Sequence, residues 1–296
     1  ATLLGLIVGV ARLSPNYLIR KTASFYIEFF RNIPLLLQIF FWYFAALRAL
    51  PMPQDASLLL GSSFMTIKGF FTPAPIWTNF DVFFTTLIIA MILVFFFVKF
   101  AKKKQEQEGK QLPVLIISLA IFIGLPLLTF LVGGVDLSFS FPELRKMSQS
   151  SYTFDGGMGI PPELIALTLA LTLYTATFIA ENVRAGIQGI GKGQKEAAAS
   201  IGLTPSQVLK LVIMPQALRI IIPPTTNQYL NLTKNSSLAA AIAYPDLVLV
   251  FAGTAMMQTG KAIEIVGITM ATYLTISIAI SLLMNWYNQR IAIKEK

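Results

Sequence analysis

The chain has 296 residues, of which 55% are hydrophobic and only 12% charged, about half the charged share of a soluble globular protein, and its mean hydropathy is +0.69. That balance excludes water as the main solvent and makes a bilayer the default surroundings. Cys and His are both absent, which removes disulfides, thiol nucleophiles and the commonest general base and metal ligand, while the formal charge of +9 must belong either to a nucleic-acid surface or to the basic side of a membrane protein.

In chain order, residues 1–11 are apolar but too few to cross a bilayer, and they read as a span that begins upstream. Apolar stretches near 25–46, 81–100, 112–132, 162–181, 217–241 and 262–285 predict six further spans. Placing the loops 12–24, 99–111, 182–219 and 286–296 inside gathers sixteen of the 23 Lys and Arg residues there, as the positive-inside rule requires. The basic excess is then a membrane face, nucleic acid is not an expected partner, and the C-terminus lies in the cytoplasm. Two segments left outside, 47–80 and 133–161, are rich in Pro, Gly, Ser and aromatic residues and predict loops with short helices. The run from Lys102 to Glu108 predicts a solvated inner hairpin, with contact to anionic lipid as the other reading.

The segment 182–218 is too polar and too patterned for a simple connector. Residues 194–201 favour helix, Gly202 suits a left-handed helix end, and Thr204, Pro205 and Gln207 form a capping box that opens a second helix. Glu196-Ala197-Ala198, then Gly202, then Val212-Ile213-Met214-Pro215 resembles the EAA signature of ABC importer permeases. The resemblance implies a coupling helix that docks into a separate ATPase, with Glu196, Ala197, Ala198, Gly202 and Pro215 as its residues. Just upstream, Gly186 to Lys192 fits the first seven positions of a phosphate-binding loop, but Gly193 replaces the required Ser or Thr and no α/β context surrounds it. ATP and Mg are therefore expected only in partner ATPase subunits, and this chain is expected to be neither an enzyme nor a cofactor carrier.

Glu28-x-x-Arg31-Asn32-x-Pro34-Leu35-Leu36, the stretch Tyr174–Ile187, Lys234-Asn235-Ser236-Ser237-Leu238 and Ala243-Tyr244-Pro245-Asp246-Leu247 are similar to polar amino acid permeases. The chain departs from them by an insertion over 47–161, with two extra spans, that looks like the general L-amino-acid subgroup. The resemblance implies an all-α type I permease, a polytopic transmembrane bundle formed by one domain over 1–296 in the bacterial inner membrane. It also implies a second permease subunit, two ATPases, a periplasmic binding protein and an L-amino-acid substrate.

Buried polar groups in a span are candidates for a substrate path. Asn227, Asn231 and Lys234 share one helix face by their spacing and should look into the bundle, accompanied by Asn235 and Ser236. Two readings of Lys234 stand: it meets a substrate carboxylate, or it snorkels outward or pairs with a neighbouring subunit. Thr168, Thr172 and Thr175 repeat on one face, but Thr also bonds its own helix backbone. Pro223-Pro224 should kink or interrupt the same span as Lys234. Glu28 with Arg31, and Glu181 with Arg184, read as ion pairs at the inner boundary. A secondary amino-acid transporter is the alternative, but it should show internal repeats, and none is evident.

Overall fold

The computed structural model describes residues 1–59, 61–109, 112–132, 137–148 and 152–291. Lys110, Gly133, Gly134, Asp136, Lys294 and Lys296, which enter the loop and charge assignments above, lie outside the described residues. The chain separates into two compact units, one of residues 1–51, 66–69 and 160–296 and the other of residues 52–65 and 70–159.

The first unit is helical. Its elements are α1 (Thr2–Ala11), α2 (Tyr17–Asn32), α3 (Leu35–Ala49), α6 (Pro162–Gln188), α7 (Lys192–Ser200), α8 (Pro205–Ile242), α9 (residues 249–259) and α10 (Ala262–Ile291). Half of the apolar window of α6 is buried, more than in any other membrane-length helix described, and α1, α2, α3 and α8 pack around it. Small residues make this close: Gly5 of α1 meets Ala176 and Ile179, and Gly9 meets Ala180 and Val183. The numbering rises together, so α1 and α6 run parallel. This is the G-x-x-x-G device of membrane helices, in which the missing side chains let backbones touch. Gly186 repeats it toward α8, since a methyl group there would stand 2.3 Å from Ile221 Cγ1.

The predicted span over 25–46 is not a single helix. It is broken at Ile33-Pro34, where α2 and α3 meet at 100°. Pro34 has no N–H and forces its predecessor out of the helical region; Ile33 accordingly adopts φ −92°, ψ 129°. Buried Gln38 holds the corner, because its Nε2 donates to Phe30 O at 2.7 Å and Ile33 O at 3.0 Å, carbonyls left over where α2 ends. The converse holds in α8, which passes through Pro223 and Pro224 without interruption. Hydroxyls of Thr225 and Thr226 donate to Ile221 O and Ile222 O beside them.

The second unit contains the helical hairpin of α4 (Phe80–Glu108) and α5 (Val114–Val132), both long and apolar enough to span a membrane. The charged run continues α4 for two turns, ending at Gly109 with φ +68°, and Lys104 pairs with Glu108 at 4.0 Å. Where loops and short helices were predicted, the chain has a short helix at Pro53–Asp55 and, in place of much of the loop, strands: β1 (Leu58–Leu59), β2 (Ser63–Thr66), β3 (Gly69–Thr72), β4 (Ala74–Trp77), β5 (Leu137–Ser140), β6 (Glu143–Lys146), β7 (Tyr152–Asp155) and β8 (Met158–Ile160). They assemble as a sheet in the order β1-β2-β3-β8 and two antiparallel pairs, β4-β5 and β6-β7. Phe64, Phe71 and Phe154 stack within 4.5–4.8 Å and give these short strands an apolar centre. Trp77, Phe80, Phe83 and Phe84 cluster where α4 begins, the position of an aromatic belt.

Candidate functional site

Two sites emerge, at opposite ends of α8. At its start, α7 ends in a Schellman turn: Gly202 N donates to Ala199 O and Leu203 N to Ala198 O, with Gly202 at φ +83°, a conformation that costs a non-glycine residue about 1 kcal/mol. Thr204 and Gln207 then cap α8 reciprocally. Thr204 N donates to Gln207 Oε1 at 2.9 Å, and Gln207 N to Thr204 Oγ1 at 3.4 Å. Of the five residues predicted here, Ala198 is 5% exposed and anchors the segment against Ile179, Val183, Val208 and Ile213. Glu196, Ala197, Gly202 and Pro215 face outward. Ile201, which sequence reasoning passed over, stands 77% exposed at the turn. An anchored turn therefore presents a carboxylate, small side chains and one large apolar residue. The glycines upstream make no phosphate loop, since Gly186 and Gln188 belong to the last turn of α6.

Beside this segment, Glu181 pairs with Arg12 and, at 2.9 Å, with Arg184. Burial lowers the Arg12 pKa, and the neighbouring charge of Arg184 adds to the effect. The predicted Glu181–Arg184 pair is thus present and enlarged to three members. The predicted Glu28–Arg31 pair is corrected: among the described residues no ion pair joins them, and the Arg31 guanidinium lies 5.5 Å from the Phe178 ring centre. Phe178 offers a ring face within reach of a flexible side chain.

Near the other end of α8, Asn227, Asn231 and Lys234 do lie on one face. That face, continued by Ile220 and Pro223, is exposed, whereas Ala217, Ile221, Ile222, Thr225 and Thr226 on the opposite face are buried. Asn227 and Asn231 therefore do not look into this chain's own bundle as predicted, although the Lys234 end of the stripe borders a recess of it; the buried side carries Thr225, with Asn182 Nδ2 3.5 Å from Thr225 Oγ1. Asn235 and Ser236 sit off the stripe and are half-buried. On α6, Thr168 is exposed, Thr172 half-buried and Thr175 only 3% exposed, so the three do not form one open lining.

Lys234 and Ser237 line a cavity of about 410 Å³ with Val248, Thr269, Met270 and Tyr273. The Tyr273 hydroxyl faces Ser236 and the charge of Asp246. Asp246 Oδ1 accepts from Leu249 N at 2.8 Å, while Oδ2 is buried with no hydrogen-bond partner, an arrangement that is costly unless a ligand or water completes it. Lys234 thus borders a largely apolar recess, and Asp246 lies outside its lining, near the Tyr273 hydroxyl. Asp246 was legible only as part of a motif; Thr269 and Tyr273 come from a helix whose sequence carries no pattern marking them.

With these features in view, comparison with known proteins places the chain in the family described as binding-protein-dependent transport system inner membrane component, whose model matches residues 80–293. The chain belongs to this family and is a multi-pass membrane protein. It is 51% identical over 297 residues to YhdX of Escherichia coli (strain K12), a protein named as an amino-acid ABC transporter permease, covering 100% of this chain and 74% of that one. It is 47% identical over 297 residues to the general L-amino acid transport system permease protein AapQ of Rhizobium johnstonii, covering 100% and 73%. The fold resembles a crystal structure described as an amino acid ABC transporter with histidines, at a TM-score of 0.54 and 21% identity over 98% of this chain and 84% of that one.

Proposed function

We propose that this chain is one permease subunit of an ATP-driven importer of L-amino acids, with the turn between α7 and α8 as the docking point of a separate ATPase. The observation that carries this reading is the geometry of that turn: Ala198 fixes it to the bundle while Glu196, Ala197, Ile201 and Gly202 remain uncovered. ATP and Mg belong to the ATPase partners, two of them by family resemblance, and a soluble periplasmic protein delivers the substrate. The basic end of the bundle faces the cytoplasm, as the distribution of Lys and Arg requires. The C-terminus lies on that side too.

The exposed stripe of Asn227, Asn231 and Lys234 supports a second permease subunit, because polar groups at membrane depth face protein or a water-filled path rather than lipid. In this reading the stripe borders the substrate path between the two subunits. Lys234, which borders a recess of about 410 Å³, receives the substrate carboxylate. The relatives named for amino-acid transport support the substrate class.

Purification from the native membrane in mild detergent, with mass spectrometry of what stays bound, tests the assembly. A P-loop ATPase and a second permease are the expected companions. Repeated recovery of this chain alone in several detergents overturns the importer reading and favours a secondary transporter.

A further inference from the structure

Helix α4 has 29 residues, about 44 Å at 1.5 Å per residue, and so outlasts a hydrocarbon core of about 30 Å. Its aromatic cluster sets the depth. With Phe80 at one interface, Lys99 lies about 28 Å farther along the axis and Lys103 about 34 Å, among the headgroups of the opposite leaflet. The charged end of α4 begins where the hydrocarbon stops.

At 3.6 residues per turn, Ile92, Phe95, Phe96, Lys99, Lys102 and Lys103 fall within about one third of the helix circumference, and all six are exposed. Ala90 and Ala101, 0% and 2% exposed, mark the opposite side, and α4 packs on α5. The charged run divides in the same way. Lys104 and its partner Glu108 lie toward the packed side, whereas Lys99, Lys102 and Lys103 have no ion-pair partner among the described residues. Lys99 Nζ instead stands 5.0 Å from the Phe95 ring centre, at the point where the apolar lane ends. Glu106 follows on this face almost one turn nearer to water.

An apolar lane that opens onto three unpaired ammonium groups at headgroup depth is complementary to a hydrocarbon chain joined to a phosphate of net negative charge. A zwitterionic lipid offers the same phosphate but brings its own cation into the cluster, so charge selects the acidic kind. Lysine clusters immediately beyond a membrane span attract anionic lipid in this way. We propose that this face of α4 binds an acidic phospholipid, with an acyl chain over Ile92, Phe95 and Phe96 and the phosphate among Lys99, Lys102 and Lys103.

The test uses the full chain, with the subunits it retains on purification, reconstituted with brominated lipids. Ile92→Trp places a reporter in the apolar lane, and the emission of the parent's own Trp residues is subtracted. Brominated phosphatidylglycerol should bind there at least about five-fold more tightly than brominated phosphatidylcholine, the scale of one Lys at an anionic surface. Adding Lys99→Gln, Lys102→Gln and Lys103→Gln together should abolish the preference while quenching itself persists. Adding Lys104→Gln alone, which removes the same charge from the packed side, should leave the preference intact. Equal binding of the two lipids overturns the proposal, and so does a preference that survives the triple substitution. A preference that Lys104→Gln removes as completely overturns it in favour of a general surface field, and no quenching by either lipid overturns it in favour of a protein partner on this face. As a second measurement without the reporter, the parent purified from native membranes should retain more acidic phospholipid per chain, by mass spectrometry, than the triple variant. Equal retention overturns the proposal.

Discussion

Gly9 of α1 lies so close to α6 that a methyl group on its Cα would stand 2.8 Å from Ala180 O and 2.8 Å from Val183 Cβ. Neither neighbour can retreat, since one is backbone and the other, Val183, is 1% exposed. Gly9→Val should therefore push α1 away and destabilise the permease by about 1–3 kcal/mol, the scale of overpacking a close-packed contact. Thermal denaturation in detergent would measure it. Gly193→Ala, where nothing lies within 4 Å of the added carbon, should leave the melting temperature unchanged.

The three-member cluster of Arg12, Glu181 and Arg184 predicts an asymmetry. Glu181→Gln leaves two partly buried guanidinium groups facing one another without a counter-charge and should cost about 2–3 kcal/mol. Combining it with Arg12→Gln should recover part of that loss. A double-mutant cycle on thermal stability reads the coupling, and strict additivity would show that the pair contributes nothing.

Gln38 ties α3 to the end of α2 across the corner at Pro34. Gln38→Leu removes two hydrogen bonds to buried carbonyls and should destabilise by about 1–3 kcal/mol, with proteolysis expected first near Pro34. Gln38→Glu keeps the shape but loses the amide donor, so it should resemble Gln38→Leu rather than the parent in limited proteolysis.

Within the proposed transport cycle, Asp246→Asn and Lys234→Met should each reduce amino-acid uptake at least about ten-fold, the cost of a lost charge-assisted contact, while preserving insertion and complex assembly. Uptake in vesicles at several substrate concentrations would separate affinity from turnover. Unaltered uptake in both variants removes Lys234 and Asp246 from the path.

Glu196→Lys and Gly202→Asp bear on the docking turn instead. Each should lower ATP-driven uptake while leaving the chain in the membrane, and Gly202→Asp should additionally strain a backbone at φ +83°. Full uptake in both would remove the coupling role.

Features written in local chemistry were readable in advance. Thr204 and Gln207 cap each other because a capping box needs only four consecutive residues, and Gly202 turns left-handed because its neighbours require it. Length and apolarity likewise marked the spans of α4, α5, α6 and α10. What failed needed geometry. Pro34 and Pro223 are both prolines within apolar stretches, yet only the first breaks its helix. At Pro34 the chain turns a corner held by Gln38, whereas Pro223 lies on the exposed face of a helix whose other side packs against α6. The Asn227–Lys234 face was found by its period, but period does not say which side is inside. The strands of the second unit are four residues or fewer and alternate poorly, so they read as loop. Gly5 and Gly9 did carry a legible G-x-x-x-G signal in a stretch treated only for its length.

Helix α8 contains 38 residues from Pro205 to Ile242 without a break, about 57 Å at 1.5 Å per residue, nearly twice the hydrocarbon thickness. It behaves as a beam clamped at its waist, where Ala217 and Ile221 press on Gly186. In the proposed coupling, a push at the docking turn must pass the π-helical segment Val208–Ile213, a wider turn of the kind often found at functional sites, before it reaches that clamp and, beyond it, Lys234.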